Sequence, residues 1–134
     1  MSSSQAPYPH LTNLLSGSLG ARALACSDDF FASMHNLVED APPAFDPDAY
    51  YERGKVMDGW ESRRKRGPGH DWCILQLGAP GILHAADIET THFTGNHAPW
   101  ASLEATFFEG SPDADTLRDE AEWVEILPSV ALRL

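Results

Sequence analysis

The tightest constraint on how this chain folds is its punctuation. Ten glycines and ten prolines are spread through 134 residues, and between them the apolar residues come in short alternating pieces. Gly and Pro interrupt helices and mark turns, so a chain broken this often has room for short strands and little helix. That pattern predicts an all-β fold, an antiparallel β-sandwich or barrel. Strands are expected over Leu19 to Ala25, over Trp72 to Leu77, over Ile82 to Phe93, over Ala101 to Phe108 and over Trp123 to Leu127. Ser27-Asp28-Asp29 offers a helix N-cap, and Phe30, Met34, Leu37 and Val38 follow at helical spacing, which predicts one short helix or helical turn. The proline- and carboxylate-rich run from Glu39 to Asp48 reads as a loop, as does Gly110 to Asp115.

Residues 1–10, small and polar with two prolines, are expected to be disordered, which leaves 11–134 as one domain. The start MSSSQAPYPH lacks the charged and apolar regions of a signal peptide, and no apolar run approaches the roughly 20 residues that span a bilayer. A cytoplasmic protein with no membrane partner is the expectation. Two cysteines, Cys26 and Cys73, stand far apart in sequence and form no C-x-x-C motif, so they read as reduced thiols packed like small apolar groups.

Charge is distributed unevenly. The formal net charge is -11, yet six of the nine Lys and Arg residues lie between Arg53 and Arg66. A basic island on an acidic body is where a small anion concentrates, while the acidic remainder repels a polyanion and argues against nucleic acid as partner. The stretch Gly54 to Trp72, GKVMDGWESRRKRGPGHDW, also holds Asp58, Glu61, His70 and Asp71, two Trp and four Gly. Arg63 and Arg64, with Lys55 and Lys65 near, can clamp a carboxylate, because a guanidinium fork matches a carboxylate bidentately. A solvated basic loop, or a nucleic-acid or nuclear-localisation patch, is the competing reading of RRKR. Asp58 and Glu61, three apart, can orient a base or accept an N–H, or can simply pair with Lys55 or Arg64. His70 lies at a loop-to-strand junction, where a plain surface histidine is also at home. His92 falls near the end of a predicted strand, and an unperturbed imidazole changes charge near neutrality, which suits an acid or base, although a hydrogen-bonded histidine on a sheet face is as reasonable. Asn96 can hold a carbonyl group, but Thr94-Gly95-Asn96 equally makes a turn. His84, His92 and His97 lack metal-ligand spacing, so no cofactor is expected and a divalent metal is disfavoured.

The string GKVMDGWESRRKRGPGHDWC, with LGAPG at 77–81 and HFTGN at 92–96, resembles the allantoicase family, in order and spacing, from Asn13 to about Leu127. The resemblance implies a jelly-roll β-sandwich of the galactose-binding-domain-like type, with a site formed by loops at one end. It implies hydrolysis of allantoate, a small anionic ureide, to ureidoglycolate and urea in purine breakdown. On that reading Lys55, Arg63, Arg64, His70 and Asn96 bind substrate and His92, Asp58 and Glu61 handle protons. The match covers most of the first of the family's two tandem repeats, and the ending SVALRL reads as a truncation that leaves the sandwich lacking its last strands. An open sheet edge of that kind is an association or misfolding hazard, and a homo-oligomer is one outcome it allows. The alternative function is a non-catalytic small-ligand-binding jelly-roll module or an inactive fragment. Gly17-Ser18 departs from the charged pair expected after the N-L-x-S turn.

Overall fold

The structure, a computed structural model, describes residues 10–40, 45–51, 54–57, 59–90 and 98–132, with 45–51 and 54–57 described as backbone. The chain divides into two compact units, Gln5–Ala85 and one whose body is Ala86–Leu134. Among the described residues the first unit contains four strands, β1 (Arg22–Cys26), β2 (Phe45–Tyr51), β3 (Gly54–Met57) and β4 (Cys73–Gln76), and the second contains β5 (Trp100–Ala105), a helix α1 (Ala114–Glu120) and β6 (Val124–Ala131). Among the described residues strands dominate and helix is scarce, in line with the glycine and proline punctuation.

All three ladders are antiparallel pairs, β1 with β4, β2 with β3 and β5 with β6. In the first, Arg22 faces Gln76 and Cys26 faces Cys73, with Leu24 set into a bulge between Ala23 and Ala25. Arg22 reinforces the far end by donating Nη2 to Gln76 Oε1 at 2.7 Å. Among the described residues of this unit, Ala21, Ala23, Ala32 and Ile74 are the buried apolar ones. Small side chains on β1 let neighbouring segments approach closely. Gly78 sits against Leu19 so tightly that a Cβ there would lie 2.8 Å from Leu19 Cγ and 2.9 Å from its carbonyl oxygen.

Gly17 answers a similar demand, since a Cβ would come 2.7 Å from the Val38 carbonyl. The neighbouring Ser16 and Ser18 hydroxyls both donate to the Asp40 carboxylate. Gly17-Ser18, the departure from the family pattern, therefore has a local packing reason.

In the second unit, half-buried Ala101, Leu103 and Ala105 alternate with exposed neighbours along β5, the period of a sheet with one covered face. The register on β6 shifts between the Ala101↔Val130 and Leu103↔Leu127 pairs, and the surplus residue lies at Pro128-Ser129. Pro has no N–H to give to a ladder, and a bulge removes the need for one. Leu117 of α1 is buried, and Trp123 Nε1 donates to the Leu117 carbonyl at 3.1 Å, closing the helix end.

Four predicted elements are corrected. The strand predicted over Ile82 to Phe93 is absent from described residues 82–90, which join none of the three ladders, while 91–93 lie outside the described residues. Residues Ile82 to Glu89 are all exposed, and both alternate faces mix apolar with polar groups, so neither face drives a strand onto a core. The N-cap of the helical turn is Ser33 rather than Ser27-Asp28-Asp29: a 3-10 turn spans Met34–Val38, with Ser33 Oγ accepting from His35 N–H. Asp29 still contributes, because its carboxylate accepts from Met34 N–H at 3.1 Å. The predicted loop Glu39 to Asp48 becomes strand from Phe45 onward, with Pro47 lying where the β2–β3 register shifts. Finally, Asp113 within the predicted loop Gly110 to Asp115 is the N-cap of α1, accepting from Thr116 N–H at 2.8 Å. Residues 1–9, where disorder is expected, lie outside the described residues.

Candidate functional site

At the end of the β1–β4 ladder the two strands diverge into Ser27-Asp28 on one side and the basic stretch before Trp72 on the other. Between them is an open cleft of ≈ 470 Å³ lined by Ser27, Asp28, Arg63, Arg64, Lys65, Arg66 and Asp71. Long-range contacts place the basic segment there. Ala32 and Glu61 form an antiparallel bridge, with Glu61 N–H donating to Ala32 O and Ala32 N–H to Glu61 O, both at 3.1 Å. Trp60 donates its indole N–H to the Asp28 carbonyl at 2.8 Å, and Asn36 Nδ2 donates to the Gly59 carbonyl at 3.0 Å. The cations after Glu61 are thus delivered to the ladder's end by backbone pairing rather than by their own charge.

Two carboxylates organise the cleft. Asp28 accepts from Phe30 N–H at 2.8 Å through one oxygen and from Arg63 Nε at 2.7 Å through the other. The Arg63 guanidinium also lies over the Phe30 ring, 5.1 Å from its centroid, while Phe31 meets that ring edge-on at 5.0 Å. Arg63 is therefore held from two directions. Partial burial pushes the Asp28 carboxyl upward, but the Phe30 and Arg63 hydrogen bonds outweigh it and hold the group below the usual carboxylate range.

Asp71 ties the opposite wall. It accepts from Ser27 Oγ at 2.8 Å and from Ser62 Oγ at 3.0 Å, with Lys65 Nζ 3.7 Å away. Ser27 Oγ in turn accepts from Trp72 N–H at 3.0 Å, so one hydroxyl joins β1 to the segment entering β4. Among the described residues Arg64 and Arg66 are engaged by no carboxylate. The cleft thus holds two cations already paired with carboxylates and two that remain available to an anion.

The candidate residues divide accordingly. Arg63 and Arg64 line the cleft together, with Lys65 beside them. Glu61 is half-buried at the bridge to Ala32 and is not part of the lining; His70 is exposed, on the segment between the cations and Asp71, and is not part of it either. Asp58, His92 and Asn96 lie outside the described residues, and Lys55 is described as backbone only, in β3 opposite Tyr50. Sequence reasoning missed Ser27, Asp28 and Ser62 as site groups. The signal of Ser27 and Asp28, polar residues abutting the end of a predicted strand, is absorbed by a capping motif, and Ser62 is overshadowed by the cations that follow it. Among the described residues no three His, Cys, Asp or Glu side chains converge as a metal site, and no helix is long and apolar enough to cross a membrane.

Comparison with known proteins decides the ancestry of this arrangement. A family model described as the allantoicase repeat matches residues 12–134. The chain belongs to the allantoicase family. A probable allantoicase 1 of Burkholderia mallei (strain ATCC 23344) is 47% identical over 122 residues, which are 90% of this chain and 35% of that protein. An allantoicase of Dictyostelium discoideum is 43% identical over 114 residues, 85% of this chain and 31% of the relative. The crystal structure of an allantoicase from Saccharomyces cerevisiae superposes with a TM-score of 0.69 at 32% identity, over 90% of this chain and 35% of that one. The chain thus spans about a third of the length of the curated relatives it matches, one allantoicase repeat of a longer protein's layout.

Proposed function

We propose that the chain is an allantoicase-type hydrolase module that takes allantoate to ureidoglycolate and urea, in the cytoplasm, as a step of purine breakdown. The observation that carries this reading is the cleft, in a member of the allantoicase family, whose Arg64 and Arg66 stand beside two cations already paired with Asp28 and Asp71. A jelly-roll sandwich of the galactose-binding-domain-like type is the architecture in which we place it, with the cleft among the loops at one end.

Allantoate bears a carboxylate and a central CH carrying two ureido groups. In the proposed mechanism Arg64 takes the carboxylate bidentately, beside Arg63, which is held in place by Asp28 and the Phe30 ring. The departing ureido nitrogen receives a proton and leaves as urea, the other ureido nitrogen assists by forming an imine-like cation, and water adds its oxygen to the same carbon while losing a proton. We assign the proton transfers to His92, helped by Asp58 or Glu61, and contacts to the ureido groups to Lys55, His70 and Asn96.

Turnover of allantoate by the purified chain, read as urea released, tests the proposal. Arg64→Ala and His92→Ala each abolish release if the assignment holds. Thermal stabilisation by allantoate with no urea would replace it with a binding module, and absence of both would remove function from this cleft.

A further inference from the structure

Cys26 and Cys73, 47 positions apart in sequence, are direct partners in the β1–β4 ladder. Residues facing each other across an antiparallel ladder project their side chains from the same face. The next pair along, Ser27 and Trp72, is joined by Ser27 N–H donating to the Trp72 carbonyl at 2.9 Å. Hydrogen-bonded and non-hydrogen-bonded pairs alternate, so Cys26 and Cys73 occupy a non-hydrogen-bonded position, where Cα atoms are about 4.5 Å apart and side chains are closest. That spacing lies within the range of roughly 4.4–6.8 Å that disulfides span. Both thiols are free and half-buried.

We propose that Cys26 and Cys73 are a reversible dithiol–disulfide pair, a modification site at the end of the β1–β4 ladder that borders the anion cleft. It lies there because Cys26 directly precedes Ser27-Asp28, and Cys73 follows Asp71-Trp72. Oxidation adds a covalent link next to the Ser27–Asp71 hydrogen bond and the Ser27–Trp72 pair that hold the cleft's walls. The oxidant is a low-molecular-weight disulfide. The Cys26 thiolate attacks one of its sulfurs and releases one small thiolate. Cys73 then gives up its proton and attacks Cys26 Sγ in the mixed disulfide, and the second small thiol leaves carrying that proton. Two thiols are oxidised and one external disulfide is reduced to two thiols.

The surroundings set the rate. Burial, with the nearby Cys26 and Asp29, pushes the Cys73 thiol up to about 12, and burial and Asp29 raise Cys26 as well. Neither sulfur is a ready thiolate at neutral pH, so exchange is slow there and accelerates with pH. The same environment makes a nucleophilic role in catalysis a poor use of either residue.

The test equilibrates the whole chain with reduced and oxidised glutathione at pH 8, quenches with acid, and counts free thiols and mass with and without denaturing urea. We expect an intramolecular disulfide, two hydrogens lighter, whose equilibrium constant against glutathione is roughly a hundredfold or more higher in the folded chain than in urea. Cys26→Ser and Cys73→Ser should each keep a single thiol and form no internal link. Equal constants in the two conditions, persistent glutathione adducts on both sulfurs, or disulfide-linked dimers as the main product would each overturn the proposal. None of these readouts depends on allantoate hydrolysis.

Discussion

Replacing Asp71 by Ala removes the group that joins three parts of the site, and the loss is calculable. Its carboxylate accepts from Ser27 Oγ at 2.8 Å and Ser62 Oγ at 3.0 Å, and sits 3.7 Å from Lys65 Nζ. A hydrogen bond to an ionised acceptor contributes about 1.5–3 kcal/mol when well buried. The Asp71 side chain is 23% exposed, and Ser27 can rehydrate its hydroxyl when the partner goes. About 1 kcal/mol for each of the two bonds is therefore the appropriate magnitude, and an ion pair whose lysine is 40% exposed adds at most a few tenths. The expected loss is about 2 kcal/mol, which lowers a urea midpoint by roughly 1–2 M at ordinary m-values. Because the chain has two compact units, the transition should be followed through Trp60 and Trp72, which belong to Gln5–Ala85, with Trp100 and Trp123 replaced by Phe in the background chain. A double-mutant cycle with Ser62→Ala isolates one bond and should give a coupling of about 1 kcal/mol. A loss below about 0.5 kcal/mol at unchanged m, or additive single effects in the cycle, would refute the assignment of Asp71 as the tie.

Two further outcomes follow from the same structure. Gly78→Ala forces a Cβ to within 2.9 Å of the Leu19 carbonyl oxygen, backbone that cannot swing aside as a side-chain tip does, and should cost about 1–3 kcal/mol, read as a lowered urea midpoint. Asp28, held below its ordinary range by Phe30 and Arg63, contributes stability that is complete above the unfolded-chain value of about 3.9 and is lost as pH falls through the lower native value; Asp28→Asn should flatten the acid limb of stability below about pH 4, and superimposable limbs would show that the carboxylate is not engaged as described.

How much of this was readable beforehand depends on the range of the interaction that decides each part. β4 and β6 are found near their predicted positions because short alternating runs between turn residues carry a local signal, and the basic island is visible because charge is counted directly. Ile82 to Glu89 misled for the opposite reason: alternation between two mixed faces looks like a strand in one dimension, but a ladder needs a neighbour, and pairing is not written in the segment itself. α1 was missed because seven residues carry barely two turns of periodicity, while its decisive feature is the single Asp113 cap. In the site, the cations could be named from sequence, but not which are held and which are available. That division rests on Asp28 meeting Arg63 across 35 positions and Ser27 meeting Asp71 across 44. The cysteine pair was obscured by the same separation, and their facing positions emerge only from the strand register.

The two carboxylates in the basic cleft carry a consequence for selectivity. With four cations lining it and Asp28 and Asp71 among them, the cleft offers an incoming ligand a surplus of two positive charges, on a chain whose formal net charge is -11. At physiological salt the field of that surplus fades over about 8 Å, so it neither gathers ligands from a distance nor holds a highly charged one against the repulsion of the body. Such a receptor discriminates by size and charge count: ligands with one or two negative charges are neutralised at short range, and the choice among them passes to the uncharged parts of the molecule, the groups that reach past the arginines to whatever hydrogen-bonding wall lies beyond.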